Sequence, residues 1–178
     1  MAMKEITPQE AHDLLAADAG AVYIDVRTER EFANGHPRGA VNIPVAFPDP
    51  ARGMMVNSDF VKVVEANFPR DKKIIVGCQA GPRSTAAAGM LDKAGYQDVS
   101  NMLGGFGGMR DQMGNVSAPG WAASGLPVGN DSGDEIGVLP QDFQSCALES
   151  SRLTRFRSHN PANRASVSDT HRRQELFQ

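Results

Sequence analysis

The chain has 178 residues, 40% of them hydrophobic, and a formal net charge of −3 at pH 7, enough for one ordinary domain with a real core and a remainder. That charge speaks against bulk nucleic-acid binding, and no run approaches the ~18 apolar residues that cross a membrane. Two cysteines, Cys78 and Cys146, make neither a disulfide framework nor a metal cluster, and residues 1–6 lack an apolar signal core, so the expected compartment is the reducing cytoplasm.

Lys4, Glu5 and Ile6 read as a short edge strand. Thr7-Pro8-Gln9-Glu10 reads as a helix start, with Thr7 as N-cap, Pro8 in the first turn and Glu10 completing a capping box. Ala11, Leu14 and Leu15 form that helix's apolar stripe; His12 falls off it and is expected to be solvated. Residues 21–26 are apolar and β-branched, a strand that ends in Asp25 and Arg27. Charged groups at the end of a buried strand need partners. They either touch a substrate or tie the strand end to neighbouring loops, and the second reading is favoured because buried carboxylates are normally paired. Thr28-Glu29-Arg30-Glu31 repeats the capping box and opens a short helix that ends near Gly35. Residues 39–44 form a third short strand. Residues 46–57, with Pro48, Pro50 and Gly53, are expected to be a loop whose Met54 and Met55 turn into the core. Ser58 is expected to cap a helix over 59–67, with Phe60, Val61, Val63 and Val64 on its apolar side.

Residues 72–76 are a β-branched run bounded by charge, which is a buried strand by composition. Residues 84–94, rich in Ala with Leu and Met, read as a helix that stops at Gly95. Cys78 therefore stands at the carboxyl end of a strand, in a short loop running into a helix N-terminus, where open α/β sheets place their ligand sites. The unpaired N–H groups of that first turn carry the positive end of the helix dipole and favour an anion. Gly81 lets the backbone turn, Pro82 stiffens it, and Arg83 adds a permanent positive charge. Such surroundings lower a thiol pKa well below its ordinary range. An inert, packed cysteine is the alternative, and Gly81 and Arg83 argue against it. Residues 98–102 are the last strand. Strands alternating with helices predict an α/β fold, an open five-stranded, mainly parallel sheet with helices on both faces. Residues 104–120 carry six glycines, and Trp121 reads as a core anchor.

Cys78-x-x-Gly81-x-Arg83-Ser84 resembles the active-site loop of the rhodanese (thiosulfate sulfurtransferase) superfamily. Two further segments agree. Asp25-Val26-Arg27, then Glu31-Phe32, then Gly35-His36-Pro37-Arg38-Gly39-Ala40-Val41-Asn42-Ile43-Pro44 is similar to the family's amino-terminal signature, with Pro37 where an aliphatic residue is usual. Leu103-Gly104-Gly105-Phe106 with the later Gly120-Trp121 and Gly125-Leu126-Pro127-Val128 resembles its carboxy-terminal signature. The resemblance covers residues 3–129 and implies a rhodanese-like domain over 1–129, with His36 in a structural turn. It also marks a departure: Met109 stands where the family runs into an aromatic, and about a dozen extra residues precede Trp121. In the family's fold this segment lies close to the active-site mouth.

The resemblance implies sulfur transfer through a Cys78 persulfide. Gln79, Ala80, Gly81, Pro82, Arg83 and Ser84 would form the binding loop, its amides holding the anionic sulfur as an oxyanion hole holds oxygen. Arg83 would attract an anionic donor, and Ser84 would either donate to the sulfur or cap the helix. Asp25, Arg27 and His36 would support the loop. The partners are a small anionic sulfur donor and a thiol or cyanide acceptor, with a protein sulfur donor or acceptor as a further candidate. No metal and no organic cofactor is implied. Two rivals stand beside this reading. A cysteine phosphatase or arsenate reductase also sets a Cys and an Arg around a loop, but Cys78 and Arg83 enclose four residues, one fewer than the phosphatase ring. A persulfide carrier for a protein partner is the non-catalytic alternative.

From 130 the composition changes. Residues 130–135 read as a polar linker. Residues 136–178 hold six Arg, four acids and no Lys, with weak apolar periodicity, and read as a mostly disordered tail with a short helix near 141–153. Cys146 is considered there as a second sulfur acceptor, although nothing around it lowers a thiol pKa.

Overall fold

The computed structural model describes residues 3–130. In chain order these form β1 (Lys4–Ile6), α1 (Pro8–Ala17), β2 (Val22–Asp25), α2 (Glu29–Ala33), β3 (His36–Pro37), β4 (Val41–Asn42), β5 (Ala46–Asp49), β6 (Gly53–Val56), α3 (Phe60–Asn67), β7 (Lys73–Gly77), α4 (Pro82–Lys93), β8 (Asp98–Met102), β9 (Met109–Arg110), β10 (Val116–Ala118) and β11 (Val128–Gly129). The expected tail beyond Asn130, its helix near 141–153 and Cys146 lie outside the described residues.

Five strands pair in the order β1-β8-β7-β2-β4, every pair parallel. The side chains explain why the sheet is covered twice. Along β2 and β7 they alternate between faces, as a strand requires. Ile24, Ile74 and Val76 pack with Phe60 and Val64 of α3 and Ala87, Ala88 and Leu91 of α4. Tyr23 and Ile75 pack on the other side with Ala11 of α1, Phe32 of α2 and Trp121. With both faces buried, these strands are almost continuously apolar, the mark of a parallel sheet.

The two capping boxes form as expected. Thr7 Oγ1 accepts from Glu10 N at 3.2 Å while Glu10 Oε2 accepts from Thr7 N at 2.7 Å. Thr28 and Glu31 repeat the arrangement at 3.3 and 3.0 Å. Gly95 ends α4 with φ of +89°, in the left-handed region that favours glycine at this position.

Four expectations are corrected. Residues 46–57 are not a loop: β5 and β6 form an antiparallel hairpin, whose turn is held by Asp49 Oδ1 accepting from Ala51 N and Arg52 N. Met54 and Met55 do not enter the core; they stand 47% and 43% exposed on β6, because a two-stranded ribbon leaves the faces of its outer strand uncovered. Ser58 does not cap α3. Asp59 is the N-cap residue and makes no side-chain cap bond, while Asn57 Oδ1 accepts from Asp59 N and takes over the local turn. His12 is not fully solvated, since its ring lies 5.9 Å from that of Trp121. In addition, 98–102 is not the last strand: β9 and β10 form a second hairpin, and β11 returns to pair with β3.

Trp121 is 1% exposed, meets Tyr23 edge-on at 5.8 Å and donates from Nε1 to Pro127 O at 2.8 Å. It closes the core under α1 and ties down the segment leading to β11. Trp121→Ala is expected to destabilise the domain by about 3–5 kcal/mol, read as a fall in the urea unfolding midpoint. An unchanged midpoint would place the anchor of this face elsewhere.

Candidate active site

β7 delivers Cys78 to the carboxyl edge of the sheet, between β2 and β8, with Gly77 opposite Asp25. The Cys78 side chain is buried, 2% exposed. Gly81, the N-cap of α4, has φ of +119° and no side chain, so nothing obstructs its N–H, which donates to Cys78 Sγ at 3.0 Å. Ser84 Oγ reaches both the same sulfur at 3.5 Å and Gly81 O at 2.8 Å, its one proton available to either acceptor. Ser84 is thus the third residue of α4, not its cap; its hydroxyl closes the loop and faces the sulfur.

These contacts set the acidity of the thiol. Burial pushes its pKa up, but hydrogen bonds from the Ser84 hydroxyl and from the N–H groups of Ser84, Ala80 and Gly81 outweigh burial, and the net shift is downward. A cysteine held this way favours the thiolate.

The loop is braced from two sides. On one, Arg27 is buried against Asp25, with Nη2 at 2.7 Å from Oδ2 and Nε at 3.0 Å from Oδ1. Its remaining donors reach Gly35 O at 2.7 Å and Gln79 Oε1 at 3.1 Å, and the guanidinium lies 4.3 Å over the Phe106 ring. Asp25 and Arg27 therefore tie a strand end, the turn after α2, the loop and the glycine-rich segment together. His36 is buried, stacked on Phe32 at 3.7 Å with Nδ1 at 3.0 Å from Phe32 O. It lies in β3, paired with Gly129, rather than in a turn.

On the other side, residues 104–108 lie directly on the loop backbone. Phe106 N donates to Cys78 O at 2.7 Å and Gly107 N to Gln79 O at 2.9 Å. A Cβ on Gly105 would collide with Cys78 O, so only glycine permits this approach. The extra residues before Trp121 form the β9–β10 hairpin that rises from this point, its turn held by Asp111 Oδ1 accepting from Met113 N and Asn115 N. The Met109 methyl reaches to 3.8 Å from where a Cβ on Gly81 would sit.

Of the loop side chains, Pro82 is exposed in the first turn of α4, and Gln79 is turned to Arg27. Arg83 does not stand free. It donates to Glu31 through two nitrogens, Nη1 to Oε2 at 2.7 Å and Nη2 to Oε1 at 2.6 Å. The sequence offered Glu31 as part of a capping box and of the amino-terminal signature, and no local signal links residues 52 positions apart. The Arg83 hydrogen bonds hold the Glu31 pKa at about 2, against a smaller opposing effect of burial, with Thr28 adding to the lowering.

Residues 7–112 match the family described as the rhodanese-like domain. The chain belongs to the rhodanese-like family. It is 42% identical over 118 residues to thiosulfate sulfurtransferase 16, chloroplastic, of Arabidopsis thaliana, a match covering 66% of this chain and 86% of that protein. It is 37% identical over 129 residues to the thiosulfate sulfurtransferase GlpE of Haemophilus influenzae, covering 72% of this chain and 96% of that one. Among solved structures, Rv0390 from M. tuberculosis superposes with a TM-score of 0.60 at 34% identity, covering 71% of this chain and 96% of that one. The domain thus shares its fold with Rv0390 and is similar in sequence to relatives named for sulfur transfer.

Two measurements check the site's electrostatics. Cys78 alkylation by iodoacetamide should rise at a lower pH than that of an unstructured cysteine, and Ser84→Ala should move the midpoint up; an unmoved midpoint would remove the hydroxyl from the sulfur's environment. Glu31, with its folded pKa depressed, contributes stability that is present above its unfolded value of about 4.3 and is lost as pH falls through about 2. The melting-temperature gap between the wild type and Glu31→Gln should therefore shrink over that interval. A gap independent of pH would deny the ion pair.

Proposed function

We propose that the protein is a sulfurtransferase that carries sulfane sulfur on Cys78. The observation that carries this reading is the buried Cys78 sulfur ringed by the Gly81 N–H at 3.0 Å and the Ser84 hydroxyl at 3.5 Å, with the thiol pKa lowered despite burial. The Cys78 thiolate attacks the outer sulfur of a donor such as thiosulfate. A bond forms between Sγ and that sulfur, the bond from it to the sulfonyl sulfur breaks, and sulfite leaves with the electron pair. The persulfide anion then gives its outer sulfur to a thiolate or to cyanide, and the Cys78 thiolate returns. The amides of residues 80, 81 and 84 stabilise negative charge on sulfur before and after the transfer. Asp25, Arg27 and His36 hold the loop and take no part in the bond changes.

A second reading, persulfide delivery to a protein partner, is favoured by one feature. The β9–β10 hairpin is rooted on the loop through Phe106 and Gly107, and its tip residue Met113 is 87% exposed. Loops of this kind at a site's rim commonly carry recognition.

Intact-mass spectrometry after incubation with thiosulfate decides between these readings. The expected result is a gain of one sulfur on the Cys78 peptide, lost on adding cyanide and absent in a folded Cys78→Ser variant. A folded wild type with a titratable thiol and no mass gain would rule out free-thiosulfate chemistry and leave the protein-partner reading, with sulfur supplied by a protein.

A further inference from the structure

The loop brings a negative sulfur and a negative donor together, so the cations beside it decide which donor is tolerated. Between Cys78 and Ser84 the only charged side chain is Arg83. The structure spends its charge elsewhere: both terminal nitrogens meet the two Glu31 oxygens. Arg27, the other guanidinium at the loop, is likewise paired, with Asp25. Each cation is therefore electrically balanced by its own carboxylate. Glu31 is itself fixed, because Oε2 also accepts from Thr28 N and Thr28 Oγ1 at 3.0 and 2.8 Å. It stays ionised across the physiological range, so the pairing does not lapse.

Donors differ in the charge they bring. Thiosulfate arrives as a dianion and leaves as dianionic sulfite. An alkyl persulfide arrives as a monoanion: its outer sulfur bonds to Cys78 Sγ, its S–S bond breaks, and a monoanionic thiolate leaves with the electron pair. Coulomb energy scales with the product of charges, so a neighbouring carboxylate penalises the dianion twice as much.

We propose that Glu31 sets the donor preference of Cys78 by holding Arg83, so that the site favours sulfur delivered as a monoanionic persulfide over thiosulfate. Glu31 acts through Arg83 and is a positioning residue. The proposal rests on the sulfur-transfer reading of Cys78 and names the substrate class for that site.

Glu31→Gln tests it, because Gln also satisfies the third position of a capping box and keeps the start of α2. Persulfide formation on Cys78 is followed by mass with thiosulfate and, separately, with ethyl persulfide. The variant is expected to load sulfur from thiosulfate about tenfold faster and from ethyl persulfide about threefold faster, the ratio that charges of two and one require. Alkylation gives a readout independent of sulfur. Iodoacetate should gain about threefold over neutral iodoacetamide in the variant, for the same single charge. Unchanged ratios for both pairs of reagents overturn the proposal, and a parallel fall with every reagent does so too, showing that Glu31 serves only to place Arg83. If wild type loads sulfur from neither donor, the sulfur-transfer reading fails; the alkylation ratio alone then decides whether Glu31 governs the site's response to anions.

Discussion

A thiolate buried at the end of a strand is costly unless donors already point at it. This constraint explains most of the domain. With Cys78 only 2% exposed, its sulfur has little water to solvate it, so backbone N–H groups and the Ser84 hydroxyl must replace that water. They can do so only if the loop between β7 and α4 keeps its curl. The parallel sheet supplies a rigid edge, α4 supplies the unpaired amides, and Gly81 supplies a backbone conformation open to few other residues.

The braces around the loop follow from the same need. A short loop with several inward-facing amides has few hydrogen bonds of its own to hold it. Arg27 meets the demand from below, linking Asp25, Gly35 and Gln79 with one planar fork. The glycine-rich segment meets it from above, through two backbone bonds and an approach so close that Gly105 tolerates no side chain. Arg83 and Glu31 lock the first turn of α4 to the first turn of α2. One carboxylate thereby completes a helix cap and neutralises the loop's only cation, coupling local folding to the electrostatics of the site.

The two hairpins attach where they disturb the core and the loop least. β9–β10 emerges between residues that must contact the loop and Trp121, which must enter the core, so its length changes nothing in either. β5–β6 follows β4 at the outer edge of the sheet. Both leave apolar side chains in solvent: Met54, Met55 and Val56 on one, Met113 and Val116 on the other.

Local sequence determined the elements whose signals are local. The two capping boxes, the β-branched runs of β2 and β7, the Gly95 stop and the strand–Cys78–helix order were legible, because each depends on residues within one turn or one strand of each other. The buried Asp25–Arg27 pair was legible as a need for partners, though the partners themselves were not. Tertiary structure alone decided the rest. Met54 and Met55 looked like core residues because hydrophobicity is readable and exposure is not; the ribbon they occupy has no layer over it. Ser58 lost the cap to Asp59 because Asn57 already held the turn. Ser84 turned its hydroxyl to Gly81 and the sulfur because the loop folds back over α4. Above all, the Arg83–Glu31 pair joins positions 52 residues apart. Only the fold, which brings the first turns of α2 and α4 together from opposite faces of the sheet, makes them neighbours, and an ion pair has no sequence signal when its partners meet through the fold.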